Sequence, residues 1–226
     1  MPSPALSRVQ SAEAHTASRR ARRGSDPGLG GQGLAYREKK ARRLNAFLVF
    51  IDESCVMMAP LVRRTWWLRG RTPVLRQRGR SHDKASIIAA LCVSPERDRV
   101  HLYFRLLPGD NVNAARVREF LAHLARQLNA PIVLIWDRLN CHRAAKVVDL
   151  MDRTRIYPSL LPPYAPELNP VENVWGYLKM NPLANWAPTD LATLTTTTRH
   201  HGRSVQRREP LLRSFLKHSP LSLRLE

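Results

Sequence analysis

Acidic residues are scarce in this 226-residue chain: 18 Asp and Glu stand against 37 Lys and Arg, a formal charge of +19. A field of that sign repels cations and draws in polyanions. Nucleic acid leads the candidate partners, because each phosphate neutralised releases a counterion. A soluble, Arg-rich protein from a GC-rich genome would carry the same excess. Cysteine is scarcer still, with only Cys55, Cys92 and Cys141 and no CxxC pair. That argues against a zinc site or a disulfide framework and for a reducing compartment. No apolar run approaches the roughly 18–20 residues that a membrane span needs. The N-terminus carries Arg and Ala but lacks the apolar stretch of a secretory signal. These absences lead us to expect a cytoplasmic protein with no membrane partner, associated with the nucleoid if DNA is what it binds.

Hydrophobic residues make up 43% of the chain, as in a globular protein. Residues 1–36 read as a disordered basic tail, rich in Ser, Ala, Gly and Arg and without apolar periodicity. Residues 37–226 are expected to form the ordered domain. AFLVFID (46–52), KASIIAALCV (84–93) and IVLIWD (132–137) are short apolar runs, as buried strands require. RVHLYFRL (99–106) puts Val100, Leu102, Phe104 and Leu106 on one face, the pattern of a half-buried strand. RIYPSLL (155–161) is a further strand, which Pro158 weakens or confines to a sheet edge. Gly70 and Gly79 mark turns between the first two strands. Segment 113–128 spaces Val117, Phe120, Leu121, Leu124 and Leu128 as an amphipathic helix does. Further helices are expected over 142–152, 171–179, 189–204 and 207–217. Strands followed by alternating helices and strands imply an α/β fold with a mixed central sheet flanked by helices.

Three carboxylates stand out in that frame. Asp52 and Asp137 each end an apolar run, so each is expected at a strand tip beside the core. Unpaired carboxylates are costly to bury, and two on neighbouring strands would repel unless a cation bridged them. Mg²⁺, a hard ion with oxygen ligands, answers that need. Either Asp alone also fits an ordinary turn or helix cap. Glu172 follows Asn169 and Pro170 in a capping-box-like helix start, which competes for its oxygens. Glu53 is expected on the opposite strand face from Asp52 and is left out of the ligand set. Glu167 lies in the Pro-rich loop, as a decoy or a supporting group.

FIDES (50–54), WDRLNCHRA (136–144) and LPPYAPELNPVENVWGYLK (161–179) resemble the three catalytic blocks of the DDE transposases. The branch is the bacterial insertion sequence 630 family, related to the mariner elements. Between Asp137 and Glu172 lie 172 − 137 − 1 = 34 residues, the spacing typical of that superfamily. PLVRRTWWLRGRTPVLR (60–76) also looks like the family's stretch after the first Asp. The resemblance runs from about Arg37 to about Leu216. It implies an RNase H-like fold and metal-dependent DNA cutting and strand transfer. Asp52, Asp137 and Glu172 would be both the catalytic residues and the metal ligands. Cys55 stands where many relatives have Gly, and Arg138 where many mariner relatives have Asn.

The chemistry implied is a two-metal in-line attack on phosphodiester bonds, with two Mg²⁺ ions or Mn²⁺ in their place. Full-length relatives carry a helix-turn-helix domain in front, and residues 1–36 contain nothing of that kind. The chain is therefore expected to act with a separate helix-turn-helix subunit, and the resemblance implies a homo-oligomer on DNA. The alternative is an inactive, truncated remnant that binds DNA and regulates a relative. Arg63, Arg64, Arg69 and Arg71 beside Trp66 and Trp67, and Arg203, Arg207 and Arg208 near the C-terminus, are candidate nucleic-acid contacts. Strand alternation would bury one of the two Trp residues. Trp175 and Leu178 share a helical face and belong to the core. His142, five residues after Asp137, reads first as a surface or capping histidine and second as a neighbour of the metal site.

Overall fold

Apolar runs without alternation need cover on both faces, and the sheet provides it. The computed structural model describes residues 29–59, 61–75, 83–220, 223 and 225. Helix α1 (Leu29–Arg43) leads into β1 (Phe47–Met57), β2 (Lys84–Val93) and β3 (Val100–Pro108). Then come α2 (Ala114–Leu128), β4 (Ile132–Trp136), α3 (Ala145–Arg153), β5 (Ile156–Leu160), α4 (Val171–Met180), α5 (Leu191–Gln206) and α6 (Glu209–Lys217). Short 3-10 turns at Asn140–Arg143 and Pro166–Leu168 precede α3 and α4. The expected α/β class holds: the sheet is mixed, ordered β3-β2-β1-β4-β5, with helices on both faces.

Odd and even positions of β1 sort into two cores. Leu48 and Phe50 face a core shared with Val174 and Trp175 of α4, Leu194 and Val205 of α5, and Phe215 of α6. Val49 and Ile51 face the core completed by Val117, Phe120 and Leu121 of α2 and Val147 of α3. At about 1.5–3 kcal/mol for each large apolar side chain buried, these two layers supply the fold's main driving force. Helix α5 comes close enough to β3 that a Cβ on Gly202 would lie 2.7 Å from Cζ of Phe104. Asn113 caps α2 through the amides of Ala115 and Arg116, and Asp190 caps α5 through Thr193.

Several boundaries differ from the sequence reading. The helix at Leu29–Arg43 begins inside the stretch read as tail, and residues 1–28 lie outside the described residues. Strand β1 does not stop at Asp52 but runs five residues further. Its parallel pairing with β4 covers only Phe47 to Phe50, while its antiparallel pairing with β2 continues to Met57. The backbone past Asp52 is held by β2 alone, which no apolar pattern announced. The helix expected over 142–152 is broken at Ala144, whose extended ψ of 138° separates the 3-10 turn from α3. Pro158 sits in β5, and β5 is the sheet edge, where a missing amide donor is tolerated. Gly70 occupies a turn with φ +76°, and Gly79 lies outside the described residues.

Candidate active site

Strand β4 ends at Trp136, and β1 passes that point as Ile51 and Asp52. Asp137 therefore leaves the sheet beside the Asp52 region. Chain from β5 returns to the same place, because the Leu161 amide donates to the Trp136 carbonyl at 2.8 Å. The Pro-rich loop then delivers α4. Buried Asn169 fixes the start of that helix, its Nδ2 donating to the Ile51 carbonyl at 2.9 Å. Asn169 also accepts, at 3.3 Å, from the amide of Val171. So one side chain ties the first turn of α4 to the residue before Asp52.

Helix α4 then runs along β1 in step with it. Trp175 Nε1 donates to Asp52 Oδ2 at 2.7 Å, and Lys179 Nζ donates to Ser54 Oγ at 2.7 Å. Four helical residues advance roughly 6 Å and two strand residues roughly 6.6 Å, so the pairings stay in register. Glu172, one turn before Trp175, shares that face. The capping-box competition does not arise: the Asn169 amide donates to the Pro166 carbonyl, and no described hydrogen bond ties the Glu172 carboxylate. Asp52, Asp137 and Glu172 line one open groove of about 440 Å³, with Arg138, Leu139 and the 161–166 loop as further walls.

The electrostatics follow from that convergence. Burial pushes the Asp52 carboxyl up to about 7; the Trp175 donor opposes this, while Glu172, Glu53 and Asp137 add repulsion. Burial also raises Glu172, partly offset by Lys179. Asp137 moves the other way. Burial opposes its ionisation, but the His142 ring and the Leu139 amide outweigh that and hold it below the usual carboxylate range.

A model of the DDE superfamily endonuclease family matches residues 47–195, which contain all three carboxylates. The chain belongs to that family. A paired-end complex of Mos1 transposase with the left transposon end is similar, at TM-score 0.58 and 16% identity, over 92% of this chain and 66% of that one. The crystal structure of the Mos1 mariner catalytic domain matches at TM-score 0.52 and 16% identity, over 84% and 86%. At such identities the likeness establishes the fold, which is RNase H-like in arrangement. An uncharacterized Sinorhizobium fredii protein, y4pE/y4sA, is 39% identical over 71 residues, 30% of this chain and 50% of that protein. The chain thus spans about half the length of this curated relative in the match.

Within the DDE endonuclease frame, the second of the two sequence readings of His142, a neighbour of the candidate metal site, is the one that holds. His142 is not a surface histidine: it is 2% exposed and stacks on Trp136 with ring centroids 4.1 Å apart. Its Nε2 lies 2.9 Å from Glu53 Oε1 and its Nδ1 3.1 Å from Asp137 Oδ1. Burial disfavours the charged ring, yet the two carboxylates prevail and push its pKa up to about 9. An imidazolium donating to both is the consistent state. Glu53 does point to the face opposite Asp52, but His142 links it back to Asp137. Ligand atoms of Glu53, Asp137 and His142 lie within 4.8 Å of one another, a donor set that could hold a cation. Glu53 Oε2 is buried without a partner. Family membership and these clustered donors together support metal-dependent nuclease chemistry in general.

The arginines divide into anchored and open groups. Arg63 donates to the Met180 carbonyl and to Asn181 Oδ1, and its amide donates to Asn185, stapling the 61–75 segment to the end of α4. Arg208 is held by Tyr177 and the Ser204 carbonyl. Arg64, Arg69, Arg71, Arg203 and Arg207 are exposed. Both Trp66, at 98% exposure, and Trp67, at 60%, face solvent, because residues 62–68 form no strand to bury either. Among the described residues, no helix is long and apolar enough to cross a membrane.

Proposed function

We propose that this chain is the catalytic domain of an insertion-sequence transposase of the 630/mariner branch, cutting DNA and joining it to a target at Asp52, Asp137 and Glu172. The observation that carries the reading is the arrival of these three carboxylates, from three separate elements, in one groove. Their mutual repulsion at Asp52 is what a divalent cation relieves. The donors suit Mg²⁺ or Mn²⁺, since all three are hard oxygen groups. The Glu53–His142–Asp137 set suits them less, because both ring nitrogens of His142 are already hydrogen-bonded. Two bound ions would activate a water or a DNA 3′-hydroxyl and stabilise the leaving oxygen.

The chain's own residues prepare for that. Trp175 orients the Asp52 carboxylate, and His142 keeps Asp137 ionised. Asn169 holds the first turn of α4 so that Glu172 reaches the groove. Exposed Arg64, Arg69, Arg71, Arg203 and Arg207 supply positive charge for DNA backbone, with Trp66 and Trp67 free to stack on bases. Arg63 and Arg208 contribute through the segments they anchor. The mariner relatives were captured as paired-end and strand-transfer complexes, which supports an oligomer on DNA here. Recognition of specific ends is assigned to a helix-turn-helix partner.

The test is incubation of the purified chain with Mg²⁺ or Mn²⁺ and DNA carrying the flanking repeats of its own gene. Metal-dependent cutting or joining that Glu172→Gln abolishes supports the reading. Binding without chemistry, also after addition of the gene's helix-turn-helix partner, would replace it with a non-catalytic, regulatory remnant.

A further inference from the structure

Opposite the carboxylates, at the other end of β4, the structure holds a second groove. It lies where α2 and α3 end and where β4 and β5 begin, and encloses about 460 Å³. Ile132, Leu150 and Ile156 contribute apolar walls, and Arg126, Arg153 and Arg155 line it as exposed cations. No carboxylate lines this groove, although Asp149 and Asp152 occupy the same helix as Arg153. None of the three guanidinium groups makes an ion pair or hydrogen bond with the described residues.

Part of this arrangement has an ordinary cause. Arg126 and Arg153 lie in the last turns of α2 and α3, where a cation offsets the helix dipole. Two helix ends carry roughly −0.5 charge each, about −1 together. Three arginines exceed that by about two charges. Arg155 belongs to neither helix, since it follows the α3 cap Thr154 and precedes β5. Asn129, left-handed at φ 45°, ends α2 at the same groove and adds a carboxamide.

We propose that this groove grips the phosphate backbone of DNA, as a contact separate from the one at the carboxylates. The inference rests on the reading of the chain as a DNA-processing enzyme. Planar guanidinium forks bind phosphate oxygens in pairs, and several of them converging on one concave surface favour a polyanion over a single small anion. Five strand residues separate the groove from Asp137, roughly 16 Å along β4. Phosphates held here are therefore contacted apart from the scissile phosphate, about five base pairs of duplex rise away.

The test measures binding of a short duplex lacking the element's repeats, with EDTA present, as a function of salt. R126E/R153E/R155E is compared with R42E/R43E/R118E, which changes the formal charge equally on exposed residues outside the groove. The groove variant should lower the salt slope by roughly 2–3, near 0.9 for each phosphate that is no longer neutralised, and the control by less than 1. R126Q/R153Q/R155Q should reproduce most of that decrease while perturbing the fold less, with circular dichroism verifying folding. Equal slopes for the two charge-reversal variants would overturn the proposal. Unchanged DNA slopes together with abolished binding of polyglutamate would overturn it in favour of an acidic protein partner. Because the readout is binding without metal, its failure is separable from failure of the catalytic reading, which Glu172→Gln reports.

Discussion

Asp52 and Asp137 line the same groove, yet their surroundings drive them in opposite directions. Asp52 faces α4, where its hydrogen-bonding partner is the neutral indole of Trp175 and its charged neighbours include three carboxylates. Asp137 faces the 3-10 turn, where His142 offers it a positive charge shared with Glu53. One half of the site is short of a cation, and the other already holds one in the imidazolium. Under the proposed function, this difference puts the external ion on the Asp52–Glu172 side and gives the Glu53–His142 side the role of keeping Asp137 ionised.

The strongest way to break this comparison is to neutralise either side. Asp52→Asn, Asp137→Asn and Glu172→Gln should each lower metal-dependent cutting by at least about 10³-fold, some 4 kcal/mol of barrier, while duplex binding persists. Cutting that survives in all three, measured in single-turnover assays, would remove the carboxylates from the mechanism. Next in size is His142→Ala. It leaves Glu53 buried without its counter-charge and should cost about 3 kcal/mol of stability in denaturant unfolding. Glu53→Gln keeps an acceptor for the ring and should cost less than half of that; equal costs would show that charge pairing is not what holds the ring.

The two sides also differ in how stability depends on pH. The Asp52 carboxyl, near 7 when folded, keeps a proton that the unfolded chain has released, so stability should fall as pH rises from about 4 to about 7. His142, near 9 when folded, contributes fully below about 6.5, and that contribution is lost as pH rises through about 9. Asp137, held low, contributes above its unfolded value and loses this as pH falls. Mg²⁺ bound at Asp52 should therefore raise the thermal midpoint more at pH 8 than at pH 5. An equal shift at both, by differential scanning calorimetry, would place the ion away from Asp52. The smallest effect is expected at the 61–75 segment: Arg63→Ala should cost about 1 kcal/mol by loosening the end of α4, with a salt slope changed less than in R64A/R69A/R71A.

How much of this was legible before the structure depends on the kind of signal. Apolar runs carried β2 and β4, helical spacing carried α2, and Pro158 pointed to the sheet edge, because burial and backbone geometry leave periodic marks. The motif blocks carried Asp52, Asp137 and Glu172. Residues that act across the fold left no such mark. Strand alternation puts Glu53 on the face opposite Asp52 and outside the expected ligand set, but it does not reveal what waits on that face, where Glu53 joins Asp137 and His142 in a donor set that could hold a cation. His142 reads first as a surface or capping histidine and second as a neighbour of the metal site, and stacking on Trp136 together with two carboxylates decides for the second. Strand alternation would bury one of Trp66 and Trp67, yet their segment forms no strand, so neither is covered. Trp175 was legible as core, but its donation to Asp52 depends on α4 lying alongside β1, a tertiary fact.

The most direct measurement is Mn²⁺ anomalous scattering from crystals of the chain soaked in the ion at pH 8. Density bridged by Asp52, Asp137 and Glu172 is expected, with His142 still hydrogen-bonded to Glu53. Density ligated by Glu53 and His142 instead, or no density near Asp52, would overturn the assignment of the metal to the three carboxylates.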